Sequence, residues 1–140
     1  MNPLYTHRVD VRFADCDPLG HVNNAVYLTY LEMARFGLWK RLWEFSGENA
    51  MTAARGAGLI LARVECDYRL PATYGDTLDV RLGLAGIGRT SFTYEYEIVE
   101  ASNARMIAQA RTVIVLYDYQ AGKPVEIDDA RRADLSRSFA

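Results

Sequence analysis

Residues 13–30, FADCDPLGHVNNAVYLTY, concentrate two aspartates, a cysteine, a histidine and two asparagines ahead of an apolar segment. Carboxylates and histidine can bind a metal ion or act as acid, base or nucleophile. DCDPLG begins like a calcium-binding loop, with a glycine at the sixth position. The fifth and twelfth positions are Leu19 and Val26, where such a loop needs an oxygen ligand and a bidentate glutamate. A calcium loop is therefore not expected.

A zinc or iron site is also disfavoured. The segment offers Asp15, Asp17 and His21 as ligands, and the only other histidine is His7. No Cys-x-x-Cys pair is present, and nothing marks carboxylates elsewhere as further ligands. We predict that the protein binds no metal ion.

The same segment has the residues of a turn from a strand into a helix. Asp, Pro, Gly and Asn are common in turns, and Asn23 or Asn24 is a suitable helix N-cap. A helix start leaves backbone N–H groups free at the positive end of the helix dipole. One such N–H could stabilise an oxyanion, and Asp17, just before the helix, could act as nucleophile or general base. Composition alone leaves a structural turn and a catalytic turn both open.

Strands and one helix must position this segment. RVDVRF alternates Val9, Val11 and Phe13 with charged residues, which predicts a strand with one buried face. After the turn, apolar residues recur at three- and four-residue spacing and predict an amphipathic helix over 24–45, ending near Ser46-Gly47. Its apolar stripe is predicted to comprise Tyr27, Tyr30, Leu31, Ala34, Leu38, Leu42 and Phe45.

The remainder of the chain has the pattern of an antiparallel sheet. Short turn-rich connections separate the apolar runs and predict a meander of neighbouring strands. One helix covering one curved sheet gives an α+β fold, and apolar residues on more than one strand face predict that a second subunit covers the rest. The polar tail is predicted to form a short helix or a frayed end. The strand runs are RVECDY, TLDVRLGL, SFTYEYEI and ARTVIVLYDY.

Length and charge restrict the function classes. A chain of 140 residues suits one domain, and a net charge of −2 gives no reason to expect a nucleic-acid or anionic-membrane partner. The longest apolar runs are too short to span a bilayer. The first residues lack the features of a signal peptide, so we expect a cytoplasmic protein. Cys16 and Cys66 fit a reducing compartment, where a disulfide between them is not expected.

The segment VRFADCDPLGHVNNAVYLTYLEMAR resembles the signature of the hotdog-fold thioesterases, especially the 4-hydroxybenzoyl-CoA thioesterase group and bacterial long-chain acyl-CoA thioesterases. Residues 67–78 and 89–98 resemble the family's later strands, and the similarity covers roughly residues 5–120. The resemblance implies a single hotdog domain over 1–140, with a curved antiparallel sheet wrapped around one long helix. It implies homodimers, often paired into homotetramers, with active sites at subunit interfaces. It also implies hydrolysis of an acyl thioester without a cofactor or metal ion.

The resemblance assigns roles within the turn. Asp17, the second aspartate of DCD, corresponds to the catalytic carboxylate, and the helix-start amide that polarises the thioester carbonyl falls near Asn24. His21 stands where the acyl-carrier-protein branch of the family keeps a functional histidine. That branch also keeps an asparagine where this chain has Leu19, so the role of His21 is open between orienting substrate and tying the turn. Asp15 is expected to be structural.

Other residues are predicted to bind substrate. Asn23 and Tyr27 flank the helix start, and Arg89 and Ser91 begin a strand where the family often places basic or hydroxyl groups near the coenzyme A nucleotide. Alternatives to acyl-CoA hydrolysis are acyl-carrier-protein thioester hydrolysis and a non-catalytic acyl-binding protein on the same fold.

Two further patterns on the predicted helix concern the acyl group and the surface. The helical aromatic residues could line an acyl pocket, although such spacing is more typical of a core. Glu32 and Arg35, three residues apart, are predicted to form a surface ion pair.

Overall fold

A computed structural model describes all 140 residues and has one antiparallel sheet of six strands with a long helix on one face. The predicted α+β fold is confirmed. The strands are β1 (Tyr5–Asp10), β2 (Gly58–Tyr68), β3 (Thr77–Ile87), β4 (Ser91–Glu100), β5 (Met106–Asp118) and β6 (Lys123–Pro124), and the helices are α1 (Asn24–Trp43) and α2 (Asp129–Leu135).

The strand order is β1-β3-β4-β5-β2, with β6 paired to the end of β5. The predicted meander is correct for β3, β4 and β5 but wrong for β2, which lies at the far edge beside β5 instead of beside β3. Three strand spacings, about 14 Å, separate β2 from β3. The eight residues 69–76 can extend over roughly 26 Å, so a connection that is short in sequence still crosses the end of the sheet.

Side chains alternate along β3 and β4 as predicted, and every second one points into the core. Helix α1 packs nearest to β1 and β3, so that side of the sheet is closed. The buried side chains of these two strands include Leu78, Val80 and Leu82 of β3 and Phe92, Tyr94, Tyr96 and Ile98 of β4.

The inner face of β2 remains open. Val64 pairs with Thr112, and Tyr68 pairs with Ala108, so these residues of β2 point to the same side as two fully buried residues of β5. Val64 is nevertheless 37% exposed and Tyr68 48% exposed. The reason is that α1 packs mainly on β1 and β3, at the other edge of the same face of the sheet. The predicted alternation of β2 is therefore present, but within one chain it does not produce burial.

Helix α1 begins as predicted. Asn23 is the N-cap, and its side-chain oxygen accepts a hydrogen bond from the N–H of Ala25 at 2.9 Å. The helix ends two residues before the predicted boundary, at Trp43, because Glu44 adopts a left-handed conformation with a φ of 53°. The side-chain nitrogen of Asn49 donates to the carbonyl of Glu44. The helix therefore ends before the predicted Ser46-Gly47 stop.

The predicted first strand, residues 8–13, is wrong at its end, because its last three residues lie outside β1. β1 ends at Asp10, and Phe13–Asp15 form a turn of 3₁₀-helix. Val9 and Val11 are buried, but the turn leaves Phe13 79% exposed, with its ring edge-on to Tyr74. This break in the alternation changes the direction of the chain just before the catalytic candidates.

The tail includes the predicted short helix, α2. Asp134 accepts hydrogen bonds from the indole of Trp43 and the guanidinium of Arg55, so α2 fastens the end of α1 and the following loop. No helix of the structure has the length and hydrophobicity needed to cross a membrane.

Candidate active site

The turn between β1 and α1 is a closed loop held by its own backbone. The N–H of Asp17 donates to the carbonyl of His21 at 3.1 Å, and the N–H of Gly20 donates to the carbonyl of Asp17 at 2.9 Å. Gly20 has a φ of +88°, a conformation that side chains disfavour. A bridge between Cys16 and Val22 closes the loop. The glycine and these bonds fix the position of Asp17 relative to the helix start.

Asp17 is half-buried and has one uncommitted oxygen. Its Oδ1 accepts a hydrogen bond from the N–H of Leu19 at 2.9 Å, which fixes the orientation of the carboxylate. Its Oδ2 accepts no hydrogen bond within the chain. One oxygen is thus anchored and the other is free to accept a proton or attack a substrate.

Asp15 differs sharply from Asp17 although it lies only two residues away. It is buried, and its carboxylate accepts hydrogen bonds from the backbone and guanidinium of Arg12 and from the hydroxyl of Tyr30, the last at 2.7 Å. Burial raises the pKa of Asp15, but these hydrogen bonds outweigh it and hold the pKa below its usual value. This saturated environment agrees with the structural role expected for Asp15.

The first backbone amide of α1 is available to a ligand. The N–H of Asn24 has no hydrogen-bond partner in the chain, as expected at the first position of a helix. The hydroxyl of Tyr68 donates to the carbonyl of Asn24 at 2.9 Å, and the N–H of Asn23 donates to the carbonyl of Asp15 at 2.9 Å. The edge strand and the turn therefore hold the helix start from two sides.

One cleft of about 460 Å³ brings the main candidates together. His21 is half-buried, and its imidazole makes no hydrogen bond within the chain, so it faces the cleft uncommitted. Tyr27 is buried, accepts a hydrogen bond from the N–H of Ala72, and packs its ring against Tyr68 at 5.3 Å. Burial raises the pKa of Tyr27, so its hydroxyl stays neutral. The lining residues are Asp17, Leu19, His21, Val22, Asn24, Tyr27, Tyr68, Arg69, Leu70 and Pro71.

Three predicted substrate-binding residues lie outside this cleft. The side-chain oxygen of Asn23 is occupied by capping the helix. Arg89 and Ser91 lie at the other end of the sheet: Ser91 pairs with Val115, which pairs with Ile60. Tyr68, at the end of β2 that lines the cleft, is eight residues from Ile60, about 26 Å along the strand. Within one chain the structure does not bring Arg89 or Ser91 to Asp17.

Sequence reasoning missed two long-range contacts of α1, of which one lies at the site. Nothing local to Tyr68 shows that its hydroxyl reaches Asn24, because the two residues are 44 positions apart. The predicted surface pair of Glu32 and Arg35 is wrong: Arg35 is only 4% exposed and donates to the hydroxyl of Tyr96. Its helical position three residues after Glu32 suggested the pair, but that position faces the sheet.

The cysteines do not form a redox or metal centre in this structure. Cys16 and Cys66 are both free thiols, and burial raises the pKa of Cys66. No group of three or more His, Cys, Asp and Glu side chains is arranged to hold a metal ion.

Comparison with known proteins assigns this architecture to a family. Residues 11–135 match the model of the thioesterase-like superfamily. The structure superposes on a thioesterase from Thermus thermophilus, complexed with coenzyme A and Zn, with a TM-score of 0.80, 34% identity, and coverage of 95% of this chain and 92% of that chain.

Two relatives in Escherichia coli are similar over most of their length. Long-chain acyl-CoA thioesterase FadM is 27% identical over 130 residues, covering 93% of this chain and 96% of the relative. Acyl-CoA thioester hydrolase YbgC is 28% identical over 121 residues, covering 86% and 87%. The chain therefore belongs to the thioesterase-like superfamily and is a hotdog-fold thioester hydrolase.

Proposed function

We propose that this protein is an acyl-CoA thioesterase in which Asp17 is the catalytic carboxylate and the N–H of Asn24 polarises the thioester carbonyl. The observation that carries the proposal is that a carboxylate oxygen and a helix-start N–H, both without partners, face one cleft. Coenzyme A as the leaving thiol is supported by the activities named for the two relatives in Escherichia coli.

The helix start contributes electrostatic stabilisation. When a nucleophile attacks the thioester carbonyl, negative charge develops on its oxygen, and a donor fixed in advance stabilises that charge without reorganising. The hydrogen bond from Tyr68 to the carbonyl of Asn24 and the capping side chain of Asn23 hold this amide in place. Asn24 therefore acts through its backbone, and its side chain is not required for this role.

Asp17 offers two chemical routes. As a general base, its free oxygen takes a proton from water, the resulting hydroxide attacks the carbonyl, and the carbon–sulfur bond breaks as the thiolate leaves and is protonated. As a nucleophile, it attacks the carbonyl itself and expels the thiolate, and water then hydrolyses the mixed anhydride. Both routes give one free acid and one thiol.

His21 and Tyr27 are proposed to contact the substrate around the reacting carbonyl. The imidazole of His21 faces the cleft without a partner in the chain, so it is available to hydrogen-bond the thioester or the pantetheine arm. Tyr27 contributes a buried aromatic wall.

A homodimer paired along β2 would complete the site. β2 is an edge strand of 11 residues whose inner apolar side chains are exposed, a surface that favours pairing with another strand. If a two-fold axis passes near the middle of β2, Ile60 of the partner subunit lies beside Tyr68. Ser91 of the partner subunit is then about three strand spacings, roughly 14 Å, from the cleft. This distance supports a role for Arg89 and Ser91 in binding the coenzyme A of the neighbouring site. Pairing of dimers into tetramers and the cytoplasmic location stay predictions.

The decisive experiment compares Asp17→Asn with wild type on a panel of acyl-CoA thioesters, followed by free-thiol release. We expect the variant to fold normally and to lose at least a hundredfold in kcat, because general-base or nucleophilic groups contribute on this scale. Asp129→Asn, at an exposed carboxylate of α2, is the matched control and should retain wild-type turnover. Near-normal activity of Asp17→Asn would exclude the proposed role.

The same assay separates the alternatives. An acyl-carrier-protein substrate hydrolysed much faster than any acyl-CoA would change the assignment of the thiol, and no release from either would favour a non-catalytic acyl binder. Incorporation of ¹⁸O from labelled water into Asp17 during a single turnover would identify the nucleophilic route, because water that attacks the aspartyl carbonyl of the anhydride leaves its oxygen in that carboxylate, whereas the general-base route puts the solvent oxygen only in the released acid.

A further inference from the structure

The active-site cleft contains one cationic residue that has no part in the proposed mechanism. Arg69 follows the last residue of β2 and lines the cleft together with Asp17 and Asn24. Its backbone N–H and that of Leu70 both donate to the carbonyl of buried Ile107, at 2.8 and 3.1 Å. These bonds fix the backbone from which the Arg69 side chain extends.

The guanidinium of Arg69 is largely uncommitted. It forms no hydrogen bond within the chain, and its one ion pair joins Nη2 to Oδ2 of Asp67 at 3.9 Å. The two side chains are 54% and 78% exposed, and an ion pair of this length in solvent contributes little to stability. The N–H donors of Arg69 are therefore available to an anion, and their planar fork matches the oxygens of a phosphate.

The cleft has a buried floor and an open rim, and Arg69 belongs to the rim. Val22 and Tyr27 are buried and form the floor, whereas Leu19, Arg69 and Leu70 are exposed. A thioester of coenzyme A or of an acyl carrier protein continues from its sulfur through a pantetheine arm to a phosphate, and then to a nucleotide or a protein. A cleft of about 460 Å³ cannot hold all of these groups, so the arm has to leave across the rim.

Distances along the chain agree with a contact between Arg69 and this phosphate. The hydroxyl of Tyr68, the residue before Arg69, lies 2.9 Å from the carbonyl of Asn24. Two extended side chains and one step along the chain then place the guanidinium at most about 20 Å from the helix start. About fourteen bonds separate the thioester carbon from the phosphorus, and an extended chain advances about 1.2 Å per bond, about 17 Å in all. A thioester whose carbonyl lies on the N–H of Asn24 therefore has its phosphate within reach of Arg69.

We propose that Arg69 is a specificity-determining residue that binds the phosphate at the end of the pantetheine arm. Coenzyme A and the prosthetic group of acyl carrier proteins share this phosphate, so the inference holds for either carrier. It rests on the proposed function, because it positions the arm of a thioester that is bound at the helix start of the same cleft. The carboxylate of Asp17 and the net charge of −2 disfavour an anionic substrate, and the cation at the rim offsets this repulsion.

The test measures kcat and KM for one acyl group on four thiols, namely pantetheine, 4′-phosphopantetheine, dephospho-coenzyme A and coenzyme A. We expect the first phosphate to raise kcat/KM of wild type by roughly three- to thirtyfold, mainly through KM, because the contact is charge-assisted but open to solvent. The gain should shrink as the ionic strength rises, since salt screens an exposed charge.

Substitutions of Arg69 test whether its charge is the cause. Arg69→Met, which keeps an unbranched side chain without charge, should lower kcat/KM for acyl-CoA towards that of the acyl-pantetheine thioester, and Arg69→Lys should restore part of the gain. An acyl-carrier-protein substrate should respond to Arg69→Met by the same factor as acyl-CoA. The matched control is Arg111→Met, which should keep the full gain. The Arg111 side chain is 59% exposed and has a similar ion pair, with Glu95 at 3.8 Å, but it does not line the cleft.

Three results would overturn the proposal. The first is equal kcat/KM of wild type for the pantetheine and 4′-phosphopantetheine thioesters, a result that does not depend on how any variant folds. The second is a loss in Arg69→Met that is the same for both thioesters, which would make the role of Arg69 structural. The third is a gain that appears only between dephospho-coenzyme A and coenzyme A, which would assign Arg69 to the 3′-phosphate.

Calorimetry keeps this test separate from that of the proposed function. If no thioester is hydrolysed, binding of 4′-phosphopantetheine and of pantetheine to wild type and Arg69→Met still reports recognition of the phosphate. Tighter binding of the phosphorylated compound to wild type alone would support the role of Arg69, and equal affinities would reject it.

Discussion

Replacing Asp15 with asparagine should destabilise the fold, whereas the same change at Asp17 should remove activity and leave stability almost unchanged. The carboxylate of Asp15 is buried, and both of its oxygens accept hydrogen bonds from donors. The side chain of asparagine has the same shape but only one acceptor oxygen. Its NH₂ group would replace the second oxygen and face donors instead of accepting from them. Asp17 has only one bonded oxygen, which the amide oxygen of asparagine can replace.

The size of the effect follows from the buried contacts. The hydrogen bond from Tyr30 to the Asp15 carboxylate, 2.7 Å long, is of the charged class that contributes about 1.5–3 kcal/mol. A mismatched buried donor adds a further cost of about 1–3 kcal/mol. The guanidinium of Arg12 is largely exposed and screened, so we assign it no share. We therefore expect Asp15→Asn to lower the free energy of unfolding by about 3 kcal/mol, which lowers Tm by roughly 10 °C.

Urea denaturation followed by circular dichroism measures this difference, and its pH dependence checks the cause. The folded pKa of Asp15 lies below its ordinary value of 3.8, so the stabilisation is present above about pH 4 and is lost as the pH falls through the folded pKa. The gap between wild type and Asp15→Asn should accordingly persist at neutral pH and shrink in acid. A gap below about 0.5 kcal/mol at neutral pH, within the usual range of surface substitutions, or an equal loss in Asp17→Asn, would refute the division of roles.

Two other substitutions test the packing around the site-bearing elements. Gly58→Ala would place a Cβ against the ring of Tyr119 and 2.9 Å from a backbone carbonyl, so it should lower the free energy of unfolding in urea denaturation by about 1–3 kcal/mol. Gly47→Ala is the control, because its Cβ meets nothing within 4 Å. Equal stability of the two variants would contradict the clash. Asp134→Ala leaves the indole N–H of Trp43 without its buried acceptor and should lower the free energy of unfolding by about 1.5–3 kcal/mol; an unchanged denaturation midpoint would show that α2 does not fasten the end of α1.

Local patterns predicted the parts of the fold that local forces determine. The cap at Asn23, the alternation of β3 and β4 and most of the helix stripe depend on residues close in sequence, and they are present. Five of the seven predicted stripe residues are buried, whereas Leu42 is half-buried and Phe45 lies beyond the end of the helix. The position of β2 was not predictable in this way, because strand order depends on which edge pairs with β5 and not on the length of the connection. The open inner face of β2 follows from that non-local choice.

The same distinction applies to the candidate site. Asp17, His21 and Asn24 lie within eight residues of one another, so sequence reasoning could group them, and the cleft contains all three. The contacts of Tyr68 with the helix start and of Arg35 with Tyr96 span 44 and 61 positions. Helical position alone made Arg35 resemble a surface residue, because burial of a charge depends on the strand that faces it.

The separation of Asp15 from Asp17 shows why spacing alone does not assign catalytic residues. In a continuous strand, two residues at i and i+2 point to the same side, so the pattern DCD would place both carboxylates in one environment. The 3₁₀ turn that ends at Asp15 breaks this relation. It directs Asp15 inward to Tyr30, while the loop closed by Gly20 presents Asp17 to the cleft. A relative that keeps both aspartates but has a residue without a hydroxyl at the position of Tyr30 would lack the buried hydrogen bond to the first aspartate, which here helps to hold Asp15 away from the cleft. The hydroxyl of Tyr30 is therefore part of what leaves Asp17 as the one carboxylate of the pair that faces the cleft.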